Sequence, residues 1–535
     1  MTDWNFADVW DAVAATVGDR PAVIQGATRL DWARFEDRAA GLAGWFEDCG
    51  FAHQAKVAQY LYNCPAYLES LYGCFKAGLV PVNTNYRYTD DELVYLWENS
   101  DTEAVIFHGS FAERVAGIRD RLPRISRWLW VDDGHGERPD WAGSYEEAVA
   151  HVPQPGRRRP GDDLLFIYTG GTTGMPKGVM WRQDDLFSVL NRTAGVRYPE
   201  DGGPDDVRRI LAEPPRHPPA RMVPGPPLMH GTGLFTAMSV LSSGGSVVMP
   251  ESRHLDVEAL LDLIESERVT EMSIVGDAFA KPILAALEAQ PDRWDISSLW
   301  LMISSGVMWS AEVKAGLLKH NPKMTLVDTL GSSEAVGMAR STSRSGATAE
   351  TAGFTLGPDT KVLTDDGREV QPGSGEQGRV ALKGRGPIGY YKDPVKSAST
   401  FMVIDGERWS VPGDFATVRA DGTVQLLGRG SVCINTGGEK VFPEEVEEVL
   451  KLHPAVADAV VVGVPDERFG ETVAAVVERR PGSDADDGEL IDWVKGRLAA
   501  YKAPRRVVAI DSIGRSPSGK VDYKRLRQHA VARLG

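Results

Sequence analysis

Over its first third the chain switches repeatedly between two hydrophobic periodicities, and this alternation restricts the fold more than any other feature. Leu30, Trp32, Phe35, Ala39, Leu42 and Trp45–Phe46 recur near a helical period behind Asp31, a residue suited to an N-cap. Lys56–Leu61 and Gly78–Val82 read as strands. Thr89 with Glu92 makes a capping-box pattern before the helical stretch Leu93–Trp97, and Ala104–Phe107 follows as a short strand. Helix and strand in turn predict α/β layers on a largely parallel sheet. No internal repeat recurs at a fixed period.

The remaining chain divides by texture. At roughly 150 residues per unit, 535 residues allow about three or four compact units. Between Tyr198 and Pro227 the chain is dense in Pro, Gly and charge, which predicts a surface excursion without regular structure. From Lys361 to about Gln425 short β segments alternate with turns (Asp365-Asp366-Gly367, Pro372-Gly373, Asp421-Gly422). A boundary is expected near Gly428-Arg429-Gly430-Ser431. Beyond it, Pro443 suits a first helical position, and Val446, Val449 and Leu450 share a face. Ala459–Val462 and Val473–Val477 read as strands, and Leu490, Ile491, Val494 and Leu498 as a second amphipathic helix.

Charge and cysteine usage narrow the classes. Lys and Arg total 59 against 75 Asp and Glu, a net charge of −16, which argues against broad nucleic-acid binding. Anionic ligands need only a local group of donors and stay open. The opening Met-Thr-Asp-Trp-Asn-Phe-Ala-Asp is acidic and predicts no secretory signal, and no run approaches the ~18 apolar residues that span a bilayer. Cys49, Cys64, Cys74 and Cys433 form no C-x-x-C pair and read as reduced thiols, so a cytoplasmic location is expected.

The richest chemistry lies in Tyr168-Thr169-Gly170-Gly171-Thr172-Thr173-Gly174-Met175-Pro176-Lys177-Gly178, after the apolar run Leu164–Ile167. Small residues let backbone wrap an anion, hydroxyls donate, and a lysine supplies charge, which together suit a polyphosphate. Pro176 before Lys177 and the β-like Val179-Met180 after it depart from a Walker loop, which opens a helix with G-K-[ST]. Two matches elsewhere are decoys. Gly373 to Gly378 fits G-x-G-x-x-G but sits between β segments, and Gly514 to Lys520 is followed by Val521 where Ser or Thr should bind magnesium.

The loop Thr169–Lys177 resembles the phosphate-binding signature of the acyl-adenylate-forming superfamily, which includes acyl-CoA synthetases, adenylation domains and firefly-type luciferases. Further segments resemble that family in its own order: Met229-His230-Gly231-Thr232-Gly233, Ser304-Ser305-Gly306-Val307 and Asp328-Thr329-Leu330-Gly331-Ser332-Ser333-Glu334. Then come Trp409 to Asp414, Gly428-Arg429, Asn435-Thr436-Gly437-Gly438-Glu439-Lys440 and Arg515 to Lys520. The stretches around Tyr168–Trp181 and Gly428–Val441 resemble actinobacterial fatty-acid and steroid-side-chain acyl-CoA synthetases.

The resemblance implies a large N-terminal domain over 1–428, of layered α/β subdomains plus a β-rich subdomain. A hinge at 429–431 and a small α+β C-terminal domain over 432–535 complete it. It implies an ATP-dependent ligase that joins a carboxylic acid to coenzyme A through acyl-AMP, releasing pyrophosphate. Thr169, Gly170, Gly171, Thr172, Thr173, Gly174 and Lys177 would hold the β- and γ-phosphates. Thr169 and Glu334 would complete an oxygen-only Mg²⁺ site. Ser305, Gly306, Val307, Asp328, Thr329 and Ser333 would flank the nucleotide, Asp414 would accept from the ribose, and Arg429 would donate to ribose or phosphate. Lys520 would bridge the substrate carboxylate and α-phosphate, and His230 would gate the acyl site. Gly437 and Gly438 would line the pantetheine tunnel, with Lys440 near nucleotide or CoA phosphate.

Taken singly, Glu334 is a capping acid, Asp414 a turn residue and Lys520 a surface charge; the ordered set is what changes that reading. Ser431 and Asn435 stand where relatives commonly carry charge, which removes any such contact at the hinge. Val275-Gly276-Asp277, Met308, Gly331 and Gly337 are pocket candidates, small or flexible residues that suggest a roomy acid site. Two other functions stay open, loading of a separate carrier protein and non-catalytic lipid binding. A homodimer is likewise left open.

Overall fold

The computed structural model describes residues 3–153, 159–169, 175–215, 217–307, 309–436, 439–466, 470–516 and 521–534. The predicted alternation appears as an eight-stranded sheet. Lys56–Tyr60 lies parallel to Val80–Asn83 and to Thr102–His108, and Arg127–Val131 continues the parallel set. Leu164–Thr169 joins parallel to Val80–Asn83, and Lys177–Arg182 then runs antiparallel to it. Local chemistry starts the helices as expected. Asp31 accepts from Arg34 N ahead of Trp32–Asp48, and Thr89 with Glu92 forms a full capping box ahead of Asp90–Asn99.

A second sheet holds the parallel strands Ser246–Val248, Arg221–Pro224, Glu271–Ile274, Leu301–Ser305 and Thr325–Ser332. It turns antiparallel at Ala335–Ser343 and runs on through Gly353–Leu356, Val424–Arg429, Asp414–Val418 and Gln377–Lys383. The β-rich texture after Lys361 is this antiparallel continuation. Between the two sheets lies an aromatic core. Trp10 meets Tyr72 edge-on at 5.2 Å, Phe6 stacks on Phe75 at 5.7 Å, and Trp10 Nε1 donates to Ser242 Oγ at 3.0 Å. The first helix, Phe6–Val17, is thereby fastened to Gly231–Ser242, which begins at His230.

The small C-terminal domain has its own five-stranded sheet, in which Val456–Asp466 and Gly470–Arg479 form the central antiparallel pair. Pro443–Lys451 and Asp487–Lys495 bury Val446, Leu450, Leu490 and Val494 in one cluster on that sheet. It meets the large domain where the Phe442 ring stands 5.4 Å from Phe415. Gly428 has φ 127°, and a Cβ there would run into the Glu444 carboxylate.

One expectation is corrected. The Pro- and Gly-rich stretch after Tyr198 contains a helix, Pro204–Ala212, and a strand, Arg221–Pro224. Pro204 occupies the first turn, where its missing N–H costs nothing, and the Asp206 carboxylate accepts from Gly203 N at 3.2 Å. Val207 and Leu211, one turn apart, bury against the Phe6–Val17 helix. All four cysteines are free thiols. Among the described residues no helix is long and apolar enough to cross a membrane.

Candidate active site

The phosphate-loop sequence closes a hairpin, because Thr169 lies opposite Lys177 across antiparallel strands. Gly170, Gly171, Thr172, Thr173 and Gly174 lie outside the described residues, while both anchors of the loop are placed. Lys177 Nζ donates to Asp393 Oδ2 at 2.5 Å and stands 5.9 Å from the Tyr390 ring. The ammonium holds the Asp393 carboxyl below the usual carboxylate range. Lys177 thus already has a carboxylate partner.

Asn83, which the sequence reading did not single out, fastens two of the predicted segments together. Its buried amide donates to Tyr168 O at 3.0 Å and to Met229 O at 2.6 Å, and its carbonyl accepts from Tyr168 N at 2.6 Å. One side chain thus ties the Leu164–Thr169 strand to the turn that carries His230. That histidine is half-buried at the N-terminus of Gly231–Ser242.

The Ser333–Glu334 segment packs beside this turn. A Cβ on Gly231 would lie 3.6 Å from Ser333 Oγ, and Trp181 Nε1 donates to Ser333 O at 2.9 Å. Glu334 Oε1 accepts from the Tyr390 hydroxyl at 2.8 Å, and the Glu334 carbonyl accepts from Ser410 Oγ at 2.6 Å. Tyr390, also absent from the sequence reading, is thus the shared neighbour of Glu334 and Lys177. The Gly389–Tyr390 strand pairs with Val179 and Met180 beside the loop, a contact too distant in sequence to be read there.

The third wall is the C-terminal end of parallel strands, where open α/β sheets place ligands. Ser304 lies beside Asp328 and Ser305 beside Thr329. Gly306, at φ 92°, turns the chain away from its strand in a conformation that favours glycine, and Val307 follows. The Asp328 carboxyl is directed into the protein, 3.7 Å from Lys314 Nζ, and burial pushes it up to about 7. A contact from Asp328 to a nucleotide would therefore be made by its backbone. Asp277 accepts from Ser310 N at 3.0 Å and Ser310 Oγ at 3.1 Å, so this acid belongs to the wall. Gly276 N donates to Ser304 Oγ at 2.9 Å, and Gly331 packs against the Ala335–Gly337 backbone. Met308 lies outside the described residues.

Asp414 is buried and lies opposite Arg429 across an antiparallel pair, and Gly430 N donates to Gly413 O at 3.1 Å. Lys440 is placed by its backbone opposite Asn435. Gly437, Gly438 and Lys520 lie outside the described residues. Thr169, Lys177, His230, Ser333 and Glu334 therefore meet around Asn83, Trp181 and Tyr390. Ser305 to Val307 and Thr329 form an adjoining strand-end wall.

The chain resembles known proteins along nearly its whole length. The AMP-binding enzyme family matches residues 10–391, and the AMP-binding enzyme C-terminal domain matches residues 445–520. The chain is 42% identical over 550 aligned residues to the medium-chain acyl-CoA ligase Mig of Mycobacterium avium, covering 99% of each chain. It is 40% identical to the medium/long-chain-fatty-acid–CoA/3-oxocholest-4-en-26-oate–CoA ligase of Mycobacterium marinum, covering 99% of this chain and 97% of the relative. Among solved structures it is similar to ATP-bound MatB from Rhodopseudomonas palustris, with a TM-score of 0.80 and 25% identity, covering 99% of this chain and all of that one. With both family regions present in order along its length, the chain belongs to the AMP-binding enzyme family.

Proposed function

We propose that this chain is an AMP-forming acyl-CoA synthetase that converts a carboxylic acid to its CoA thioester at the expense of ATP. The observation that carries this reading is the end-to-end likeness, at 40% identity or more, to two CoA ligases. Their names point to a medium- or long-chain fatty acid or a steroid side-chain acid as substrate.

A carboxylate oxygen attacks the α-phosphorus of ATP, the bond to pyrophosphate breaks, and an acyl-AMP anhydride forms. The thiol of CoA then attacks the acyl carbon, loses its proton, and displaces AMP. The first step brings an anion against a triphosphate, so neutralising charge is the protein's main task. In this reading Lys177 and the backbone of 170–174 bind the β- and γ-phosphates, with Lys177 leaving Asp393. Lys520 spans the carboxylate and α-phosphate, Asp414 accepts from the ribose, and Ser305 to Val307 with Thr329 flank the base. His230 sits at the acyl entrance. Residues 1–428 and 432–535 act as two lobes about a hinge at 429–431, with Gly437, Gly438 and Lys440 meeting CoA after rotation.

The donor set fits Mg²⁺. Among the described residues no group of three or more His, Cys, Asp or Glu side chains forms a metal cage. Glu334 offers a carboxylate steadied by Tyr390 beside the end of the Leu164–Thr169 strand. That suits an ion bound through one or two protein oxygens, substrate phosphates and water. When bound, it supplies charge neutralisation on the phosphates. A cytoplasmic location belongs to the same proposal.

The test is carboxylate-dependent exchange of labelled pyrophosphate into ATP, followed by thioester formation with CoA across fatty, aromatic and steroid acids. Exchange and thioester with fatty or steroid acids are expected. Exchange without any CoA thioester, or no exchange with any acid, overturns the proposal.

A further inference from the structure

The Ala311–His320 helix buries a lysine beneath the strand-end wall. The side chains of Lys314 and Asp328 are 1% and 5% exposed, with Nζ 3.7 Å from the carboxylate. The ammonium also stands 5.7 Å from the fully buried Trp309 ring and has no hydrogen-bond partner among the described residues. Removing one member of such a pair leaves an uncompensated buried charge, whereas a well-packed neutral pair can be as stable as the ions. Stability alone therefore does not account for these two charges.

Their placement does. Asp328 lies beside Ser304, whose hydroxyl accepts from Gly276 N, and Asp277 just beyond accepts twice from Ser310. Ser310 in turn precedes the helix that carries Lys314. The loops leaving three adjacent parallel strands, Glu271–Ile274, Leu301–Ser305 and Thr325–Ser332, are thereby joined through one chain of polar contacts. Lys314 is the member that reaches the third strand, immediately before Thr329.

We propose that Lys314 is a positioning residue for nucleotide binding, holding the end of the Thr325–Ser332 strand through its ion pair with Asp328. The proposal rests on the assignment of ATP to this cleft. The tether exists only while Asp328 is ionised, and burial brings that ionisation up to about 7. Around the pair, among the described residues, stand the charges of Asp277 and Lys281 at the start of Asp277–Ala289 and of Glu448 on Pro443–Lys451. Tethering therefore strengthens as pH rises through neutrality.

The experiment measures ATP dissociation constants for the full chain, the double variant Lys314→Met/Asp328→Asn and the single variant Asp328→Asn, at pH 5.5 and 8.5, with folding checked by thermal melting. The ionisation of ATP is common to all three, and Asp328→Asn keeps Lys314 beside Glu448, so agreement between the two variants isolates the pair. The expected ratio is near one at pH 5.5 and about tenfold at pH 8.5 for both variants, with the double variant melting close to wild type. A ratio of one at both values overturns the proposal. A constant elevated ratio assigns the effect to side-chain volume and overturns it as well. Failure of the wild-type chain to bind ATP would instead refute the function on which the inference rests.

Discussion

Asn83 ends the otherwise apolar strand Val80–Asn83, and three backbone groups depend on its amide: Tyr168 N, Tyr168 O and Met229 O. Asn83→Ala would strip partners from buried groups and is expected to cost about 1–3 kcal/mol of stability. It would also free the strand entering the phosphate loop from the His230 turn, so pyrophosphate exchange should fall by about tenfold or more. Urea unfolding and exchange kinetics check the two effects separately. Lys520→Ala tests the motif residue most exposed to error. Loss of one preorganised donor is expected to slow exchange by at least about a hundredfold, and a wild-type rate would remove Lys520 from the mechanism. The contrast between these residues shows what the chain makes legible. Lys520, Glu334 and Asp414 sit in ordered local motifs that survive as text. Asn83 and Tyr390 act through partners 85 and 56 residues away or further, with no local pattern to mark them.

At the scale of elements, legibility follows the strength of local chemistry. Asp31 and the Thr89–Glu92 box announce their helices because the capping groups lie within three residues of the backbone they satisfy. Parallel pairing was inferable from alternation, but strand order was not, since neighbours such as Val82 and Phe166 are far apart in the chain. The Pro204–Ala212 helix escaped notice for a different reason. Proline density is a breaker signal in a loop, but a proline in the first turn starts a helix as readily as it stops one. What holds that helix is tertiary: Val207 and Leu211 bury against Phe6–Val17. Leu211→Ala is therefore expected to cost about 2–3 kcal/mol, read from urea unfolding. Leu211→Met, which nearly conserves volume, should cost less than about 1.5 kcal/mol.

For the molecule as a whole, the composition shift near Gly428 carries no information on how the lobes touch. The contact combines residues near the boundary with residues more than a hundred positions away. Glu444 packs on Gly428, and Glu448, one turn further along Pro443–Lys451, lies in the field of Lys314 and Asp277 of the large domain. Burial pushes the Glu448 carboxyl up to about 7, opposed by Lys451 and Lys314 and reinforced by Glu445 and Asp277. The sign follows directly. With the lobes together Glu448 keeps a proton that it releases, near the ordinary glutamate value of about 4.3, once the lobes part. Between those two values each rise in pH weakens the docked arrangement, and above about 7 the weakening is complete. Cleavage by a protease at residues 429–433, compared with Glu448→Gln at each pH, reads this balance. At pH 5 the two chains are expected to differ no more than several-fold; at pH 8 the wild type should cleave faster by a far wider margin, because its glutamate is then ionised in both arrangements. Equal rates at both values would mean that Glu448 does not govern how the small lobe sits on the large one.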